Sequence, residues 1–232
     1  MTAQAEEYPV GHAGCRAVEI IGLIGAGSIG ANVAELAIRH GHDVVLSNSR
    51  GPASLSGLVQ RLGPRARAAT PADAARESDL VVLATPLTAV PTLPVQELRD
   101  KVIIDANNYL AERDGHIAEL DDESTTSSEW LQAHLPASTV VKAFQQIHAP
   151  QLNSDSKPVS APERRALAVF SDDPGARLRV AALIDSWGFD PLDGGDLAEG
   201  WRLQRDTPGW DVYDTFPELR AHLAQAKRYR DM

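Results

Sequence analysis

Residues 18–41 read VEIIGLIGAGSIGANVAELAIRHG, and three signals coincide in them. Val18 to Ile24 is an apolar run of strand length. Ser28 to His40 carries Ile29, Val33, Leu36 and Ala37 at helical spacing, and Gly41 follows as a C-cap glycine. Between strand and helix, Gly25-Ala26-Gly27-Ser28-Ile29-Gly30 sets glycines at the first, third and sixth positions of a turn. Each has a physical task. Gly25 permits the tight turn, Gly27 lets the backbone approach a diphosphate, and Gly30 lets the helix lie close on the strand. The free amides at the helix start, with the positive end of its dipole, attract phosphate. A glycine-rich turn with no ligand is the bland alternative. The strand before it and the helix after it weigh against that reading.

Downstream, apolar runs keep alternating with helical patterns. Asp43 to Ser47 reads as a second strand, a helix follows over Ala53 to Leu62, and a short strand lies near Arg67 to Ala69. Thr70 before Pro71, with Asp73 three residues on, reads as an N-cap and a helix start. Asp79 to Ala84, Lys101 to Asp105 and Thr139 to Phe144 supply the fourth to sixth strands. The acidic stretch Glu112 to Glu129 reads as a solvated loop leading into a helix. Gln151 to Pro162, rich in Ser, Pro and Asp, reads as a linker. A strand (Ala166 to Ser171), a helix (Gly175 to Trp187), a short strand (Phe189 to Leu192) and a helical tail holding Phe216, Leu219, Leu223 and Ala226 close the chain. This order predicts an α/β fold, a Rossmann-type doubly wound parallel sheet with a small C-terminal α/β extension. The expected division is a flexible leader over 1–17, a dinucleotide-binding Rossmann domain over 18–150, and a small substrate or dimerisation region over 151–232.

The end of the second strand selects the cofactor. A site for the unphosphorylated dinucleotide places Asp or Glu there to accept from the ribose 2′-hydroxyl. Here the strand runs into Ser47-Asn48-Ser49-Arg50-Gly51, with no acid. Arg50 can pair with a 2′-phosphate that a carboxylate would repel, and Asn48 and Ser49 can add hydrogen bonds. A merely solvated Arg50 is the alternative. Ligands in this fold lie across the carboxyl ends of the strands. Ala84, Thr85 and Pro86 therefore read as the loop against the middle of the cofactor, and Asn107 as a polar contact near the nicotinamide. His148 is a candidate general acid, held equal with a packing role. Lys142 is either a pairing residue or an outward strand position, and Asp105 a strand-end cap.

The remaining composition excludes more than it assigns. Of 232 residues, 43% are apolar and 23% charged, ordinary for a globular chain. The formal net charge of -10 disfavours general binding to nucleic acid or to an anionic membrane. A single cysteine, Cys15, rules out an internal disulfide and cysteine-cluster zinc sites, and no metal is expected. No run approaches the ~20 apolar residues of a membrane helix, and the N-terminus lacks the apolar core of a signal peptide. A cytoplasmic protein is expected.

The glycine turn, Ser49-Arg50, Ala84-Thr85-Pro86 and Val140-Val141-Lys142-Ala143-Phe144 together resemble the NADP-dependent deazaflavin (coenzyme F-420) reductases. The cytosolic reductase domain of the STEAP metalloreductases is similar. The resemblance runs over roughly residues 18–204 and includes Gly188 to Leu197 as a strand and turn. It implies NADP(H) along the glycine turn and the serine-arginine loop, with Ala143 among the cofactor contacts. It also implies coenzyme F-420 or a flavin as second substrate, and a homodimer. Hydride transfer between NADP(H) and such an acceptor is the implied activity. A reductase of another small molecule (carbonyl, imine or quinone) and a non-catalytic NADP sensor are the alternatives. Two positions depart from the family. Gln145-Gln146 stand where it has Asn-Thr, and Ser54 stands where it often has lysine. Trp201, Trp210 and Tyr213 are read either as cleft residues or as core.

Overall fold

In the computed structural model, which describes residues 19–228, the opening run forms β1 (Ile20–Ile24) and the glycine turn leads into α1 (Ser28–Arg39). There follow β2 (Asp43–Ser47), α2 (Ser56–Leu62), β3 (Ala66–Ala68), α3 (Pro71–Arg76), β4 (Leu80–Leu83) and β5 (Val102–Asp105). Short helices α4 (Ala111–Asp114) and α5 (Ala118–Asp121) precede α6 (Ser127–His134) and β6 (Thr139–Lys142). The chain continues through α7 (Gln151–Ser154), β7 (Ala166–Phe170), α8 (Pro174–Ser186), β8 (Asp190–Gly195) and α9 (Phe216–Gln225). The leader expected at 1–17 lies outside the described residues.

These strands form one sheet in the order β3-β2-β1-β4-β5-β6-β7-β8. All pairings from β3 to β6 are parallel. β7 runs antiparallel to β6, meeting it at Lys142 and Phe170, and β8 pairs parallel with β7. The fold is thus Rossmann-like α/β, with strands of the C-terminal part extending the same sheet. The chain winds outward from β1 to β3, then returns to place β4 on the other side of β1. The loops after β1 and β4 diverge there, which is where ligands enter open α/β sheets.

Central strands are buried on both faces, so their alternate residues serve two cores. Leu80, Val82, Ile104 and Val141 join Val33, Leu36, Val180 and Ile184 of α1 and α8 on one side. Val81, Leu83, Ile103 and Val140 join Val90 and Leu131 on the other. α9 covers β7 and β8 with Leu219 and Leu223 against Phe170 and Leu192. Helix starts follow local chemistry. Thr70 accepts from the Asp73 amide at 3.2 Å, with Pro71 at the first turn, a cap of about 1 kcal/mol.

Two expectations need correction. The stretch read as a linker begins with α7, which is docked rather than free. Asn153 Nδ2 donates to the Asn32 carbonyl and side chain at 3.1 and 3.0 Å, and Leu152 is fully buried. The acidic stretch is largely helical, and one of its carboxylates, Asp114, is buried.

Candidate functional site

The glycines of the turn divide by what demands them. Gly25 has φ +105°, and a Cβ there would sit 2.2 Å from the Ala84 carbonyl oxygen. A Cβ on Gly30 would lie 1.9 Å from the carbonyl oxygen of Gly25. Both are required by the protein's own packing. Gly27 is different, because a Cβ there would meet no protein atom within 4 Å. Gly27 and Ser28 are exposed, while Ala26 and Ile29 are half-buried. The Gly25 amide donates to the Ser47 carbonyl at 3.0 Å, tying the turn to the end of β2. A backbone cradle that a Cβ could fill without clashing, at the start of a twelve-residue helix, fits a diphosphate.

At the end of β2, Asn48 is held by its surroundings. Its Oδ1 accepts from the Arg50 amide at 3.0 Å and its Nδ2 donates to Ser54 Oγ at 2.9 Å. Ser54 Oγ in turn donates to the Gly51 carbonyl at 2.7 Å. Ser54 therefore stabilises the loop. Ser49 and Arg50 are exposed, and among the described residues Arg50 makes no ion pair.

At the ends of β4, β5 and β6 the lining is buried and polar. Thr85 N donates to Asn107 Oδ1 at 2.8 Å, and Asn107 N to Asp105 Oδ1 at 3.0 Å. Asp105, fully buried, pairs with Lys142 Nζ at 3.2 Å and accepts from Ser128 Oγ at 2.6 Å. Lys142 Nζ also donates to the Asn107 carbonyl and to Ser127 Oγ. Asp105 and Lys142 thus form an internal brace under the strand ends. Asp114 is a second brace, accepting from Leu87 N at 3.3 Å, Leu110 N at 3.0 Å and Arg113. Burial pushes its carboxyl up, but hydrogen bonds from Arg113, Leu110 and Leu87 together hold it below the ordinary carboxylate value.

Three side chains in this cluster keep buried polar atoms without a partner among the described residues. They are Thr85 (Oγ1), Asn107 (Nδ2) and Gln145 (both amide atoms). Gln145 is 3% exposed and Asn107 4%. Gln146 behaves otherwise: its Oε1 accepts from Ala168 N at 2.9 Å and its Nε2 donates to the Ala166 carbonyl at 3.4 Å, so it stitches the chain to β7. Ala143 is buried, and Phe144 has φ +64°, a left-handed backbone that costs a bulky residue about 1–3 kcal/mol. Stacking on Trp187, 5.9 Å between ring centroids, holds it there. Fully buried Arg165 clamps the segment from below through Gln151, Asp155 and the Gln146 and Val212 carbonyls.

His148 stands apart from this cluster. Its side chain is 67% exposed and pairs with Asp211 at 2.6 Å. Ala84 is half-buried and Pro86 exposed at the end of β4. A cavity of about 360 Å³ opens beside the ends of β5 and β6, with Tyr109, Ser127, Lys142, Trp201 and Arg228 among its walls. Trp201 lies between the guanidinium groups of Arg202 and Arg228, 4.5 and 4.9 Å from its ring centroid. Tyr213 is exposed and carries Lys157 and Arg165 over its ring, and Trp210 is half-buried. Sequence reasoning missed the orphaned Gln145 amide, the Asp114 brace and the Arg165 clamp. Arg165 carries a local signal, an arginine directly before an apolar strand, and Gln145 stood out only as a departure from the family pattern.

Fold and turn define a Rossmann-type domain whose glycine-rich strand-to-helix turn leaves an open backbone cradle. Residues 20–109 match the family model for "NADP oxidoreductase coenzyme F420-dependent". A structure of a hypothetical protein from Sinorhizobium meliloti is 30% identical, with a TM-score of 0.74, and the match covers 86% of this chain and 96% of that one. The metalloreductase STEAP3 of Rattus norvegicus is 26% identical over 198 residues, 83% of this chain and 38% of the rat protein. A candidate F420-dependent NADP-reductase from Arthrobacter, at 23% identity and a TM-score of 0.67 over 79% of this chain and 87% of that one, shares the fold. The part of the chain that matches the coenzyme F420-dependent NADP oxidoreductase model holds the glycine turn, the end of β2 and Asn107. The chain spans about a third to two fifths of the length of the curated relatives it matches. Among the described residues no helix is long and apolar enough to cross a membrane.

Proposed function

We propose that the protein transfers hydride between NADP(H) and a deazaflavin or flavin-like acceptor. The Gly25–Gly30 turn would hold the diphosphate through backbone amides. Asn48, Ser49 and Arg50 would take the 2′-phosphate, Ala84, Thr85 and Pro86 the middle of the dinucleotide, and Asn107 and Ala143 its nicotinamide end. NADP(H), when bound, supplies or receives the hydride.

The observation that carries this reading is Arg50. It is a guanidinium with no ion pair among the described residues, at the end of a strand that offers no acid, next to the exposed Gly27 turn. Support for the acceptor comes from the other end of the path. The strand-end side chains there are amides and a hydroxyl, and the buried charges are paired, Asp105 with Lys142 and Asp114 with Arg113. Such a lining aligns and dries two rings without exchanging protons with them, which is what ring-to-ring hydride transfer requires. With a deazaflavin the hydride passes from carbon to carbon, and water supplies the balancing proton. The test is to mix protein, NADPH and oxidised deazaflavin and follow both absorbances. Coupled loss of the two is expected, and no change in either would remove the reading.

A further inference from the structure

We propose that Gln145, with Asn107, forms a receptor for a primary carboxamide, the one carried by the nicotinamide ring, and so fixes which face of that ring meets the acceptor. This rests on the dinucleotide reading above. The starting point is a cost. A primary amide carries up to four hydrogen-bonding capacities, and Gln145 is 3% exposed with neither side-chain atom partnered among the described residues. Its neighbour Gln146, equally buried, uses both of its amide atoms within the sheet. Burying an amide without partners is unfavourable, and proteins tolerate it mainly where something else meets the need. The backbone beside it tells the same story. Phe144 is held at φ +64° immediately before Gln145, and strain of that kind gathers at ligand sites.

Asn107 sets the polarity. The Thr85 amide can only donate, so the side-chain atom it meets at 2.8 Å is the oxygen of Asn107. This leaves Asn107 Nδ2, buried and unpartnered, as a donor that requires an acceptor. The strand ends carrying Asn107 and Gln145 are neighbours in the sheet and are tied by Asn108 Nδ2, which donates to the Gln145 carbonyl at 2.9 Å. The cluster therefore asks for a ligand group with a carbonyl oxygen to accept from Asn107 Nδ2 and Gln145 Nε2 and an NH₂ to donate to Gln145 Oε1. A primary carboxamide has both in one plane. A ketone or carboxylate lacks the NH₂ that Gln145 Oε1 requires. Held by both atoms, the ring cannot turn over, so one face is presented.

Binding and stability test this without relying on turnover. The probes are 2′,5′-ADP, which reports the adenosine half alone, NADP⁺, and its 3-acetylpyridine analogue, in which a methyl group replaces the NH₂. The wild type should bind NADP⁺ about tenfold tighter than the analogue. Gln145→Met should abolish that preference, leave 2′,5′-ADP binding unchanged, and raise the thermal midpoint of the ligand-free protein by about 2–4 °C, because the orphaned amide is gone. Gln145→Asn, which keeps an amide, should retain part of the preference. Gln146→Met should lower the midpoint and leave the preference intact. A Gln145→Met variant that is less stable and loses 2′,5′-ADP and NADP⁺ together would assign Gln145 a structural role and overturn the proposal. A wild type that binds 2′,5′-ADP but does not distinguish NADP⁺ from the analogue overturns the carboxamide receptor alone. A wild type that binds neither 2′,5′-ADP nor NADP⁺ overturns the dinucleotide reading and this one with it.

Discussion

At the ends of β1 and β2 the molecule works with backbone amides, glycines and one exposed cation, whereas at the ends of β4, β5 and β6 it works with buried polar side chains. The first region is satisfied on its own. Gly25 bonds to Ser47 and Asn48 to Ser54, and the exposed Arg50 makes no ion pair among the described residues. The second is half satisfied. Asp105, Lys142 and Asp114 brace it completely, yet Thr85, Asn107 and Gln145 keep orphaned atoms. The contrast follows from what each half would hold. A phosphate is recognised by charge and by NH groups that any backbone supplies, so the chain needs only space and a cation there. A flat amide-bearing ring is recognised by matched donors and acceptors, which only side chains at fixed places can offer.

The largest expected effect strikes the brace of the second region. Asp105→Ala leaves the Lys142 ammonium buried and without its counter-ion and should cost about 3–5 kcal/mol in urea unfolding. A loss under about 1 kcal/mol would mean that the pair does not hold the strand ends. Gly25→Ala comes next. Its positive φ and the contact with Ala84 predict a cost of about 2–4 kcal/mol, whereas Gly27→Val should change stability by about 1 kcal/mol or less. The same Gly27→Val should weaken NADP⁺ binding by roughly a hundredfold. If it binds normally, the exposed cradle is not where the diphosphate sits. Arg50→Ala should weaken NADPH about 10- to 100-fold, the worth of a charge-assisted bond to phosphate, and leave NADH binding unchanged. The smallest effect is a pH dependence. The fold holds the Asp114 carboxyl below its ordinary value of 3.8. Its stabilising contribution is therefore present above that value and is lost as pH falls through the lower folded one. Asp114→Asn should cost about 1 kcal/mol at neutral pH and flatten acid unfolding below pH ~4. Acid unfolding as steep as in the wild type would contradict it.

How much of this was legible in the sequence follows the same division. The glycine turn, the succession of strands and helices along the chain and the place of Arg50 after β2 were readable because each depends on residues close in sequence. The sheet's direction at β7 was not readable, since an apolar run such as Ala166 to Phe170 carries no sign of parallel or antiparallel pairing. Lys142 was ambiguous for a related reason. Its partner Asp105 lies a full strand away, and only the register of β5 against β6 brings them level. Asp114 looked like one acid among seven in a solvated stretch, and its burial depends on loops after two different strands. Gln145 and Gln146 are identical neighbours in sequence that the fold assigns opposite fates, one satisfied by β7 and one left unpaired.

Equilibrium titration of the protein with NADPH and with NADH at one ionic strength tests the account most directly. Binding of NADPH at least tenfold tighter than NADH, with the difference erased in Arg50→Ala, is the predicted result. Equal affinity for the two, or no binding of either, would contradict it.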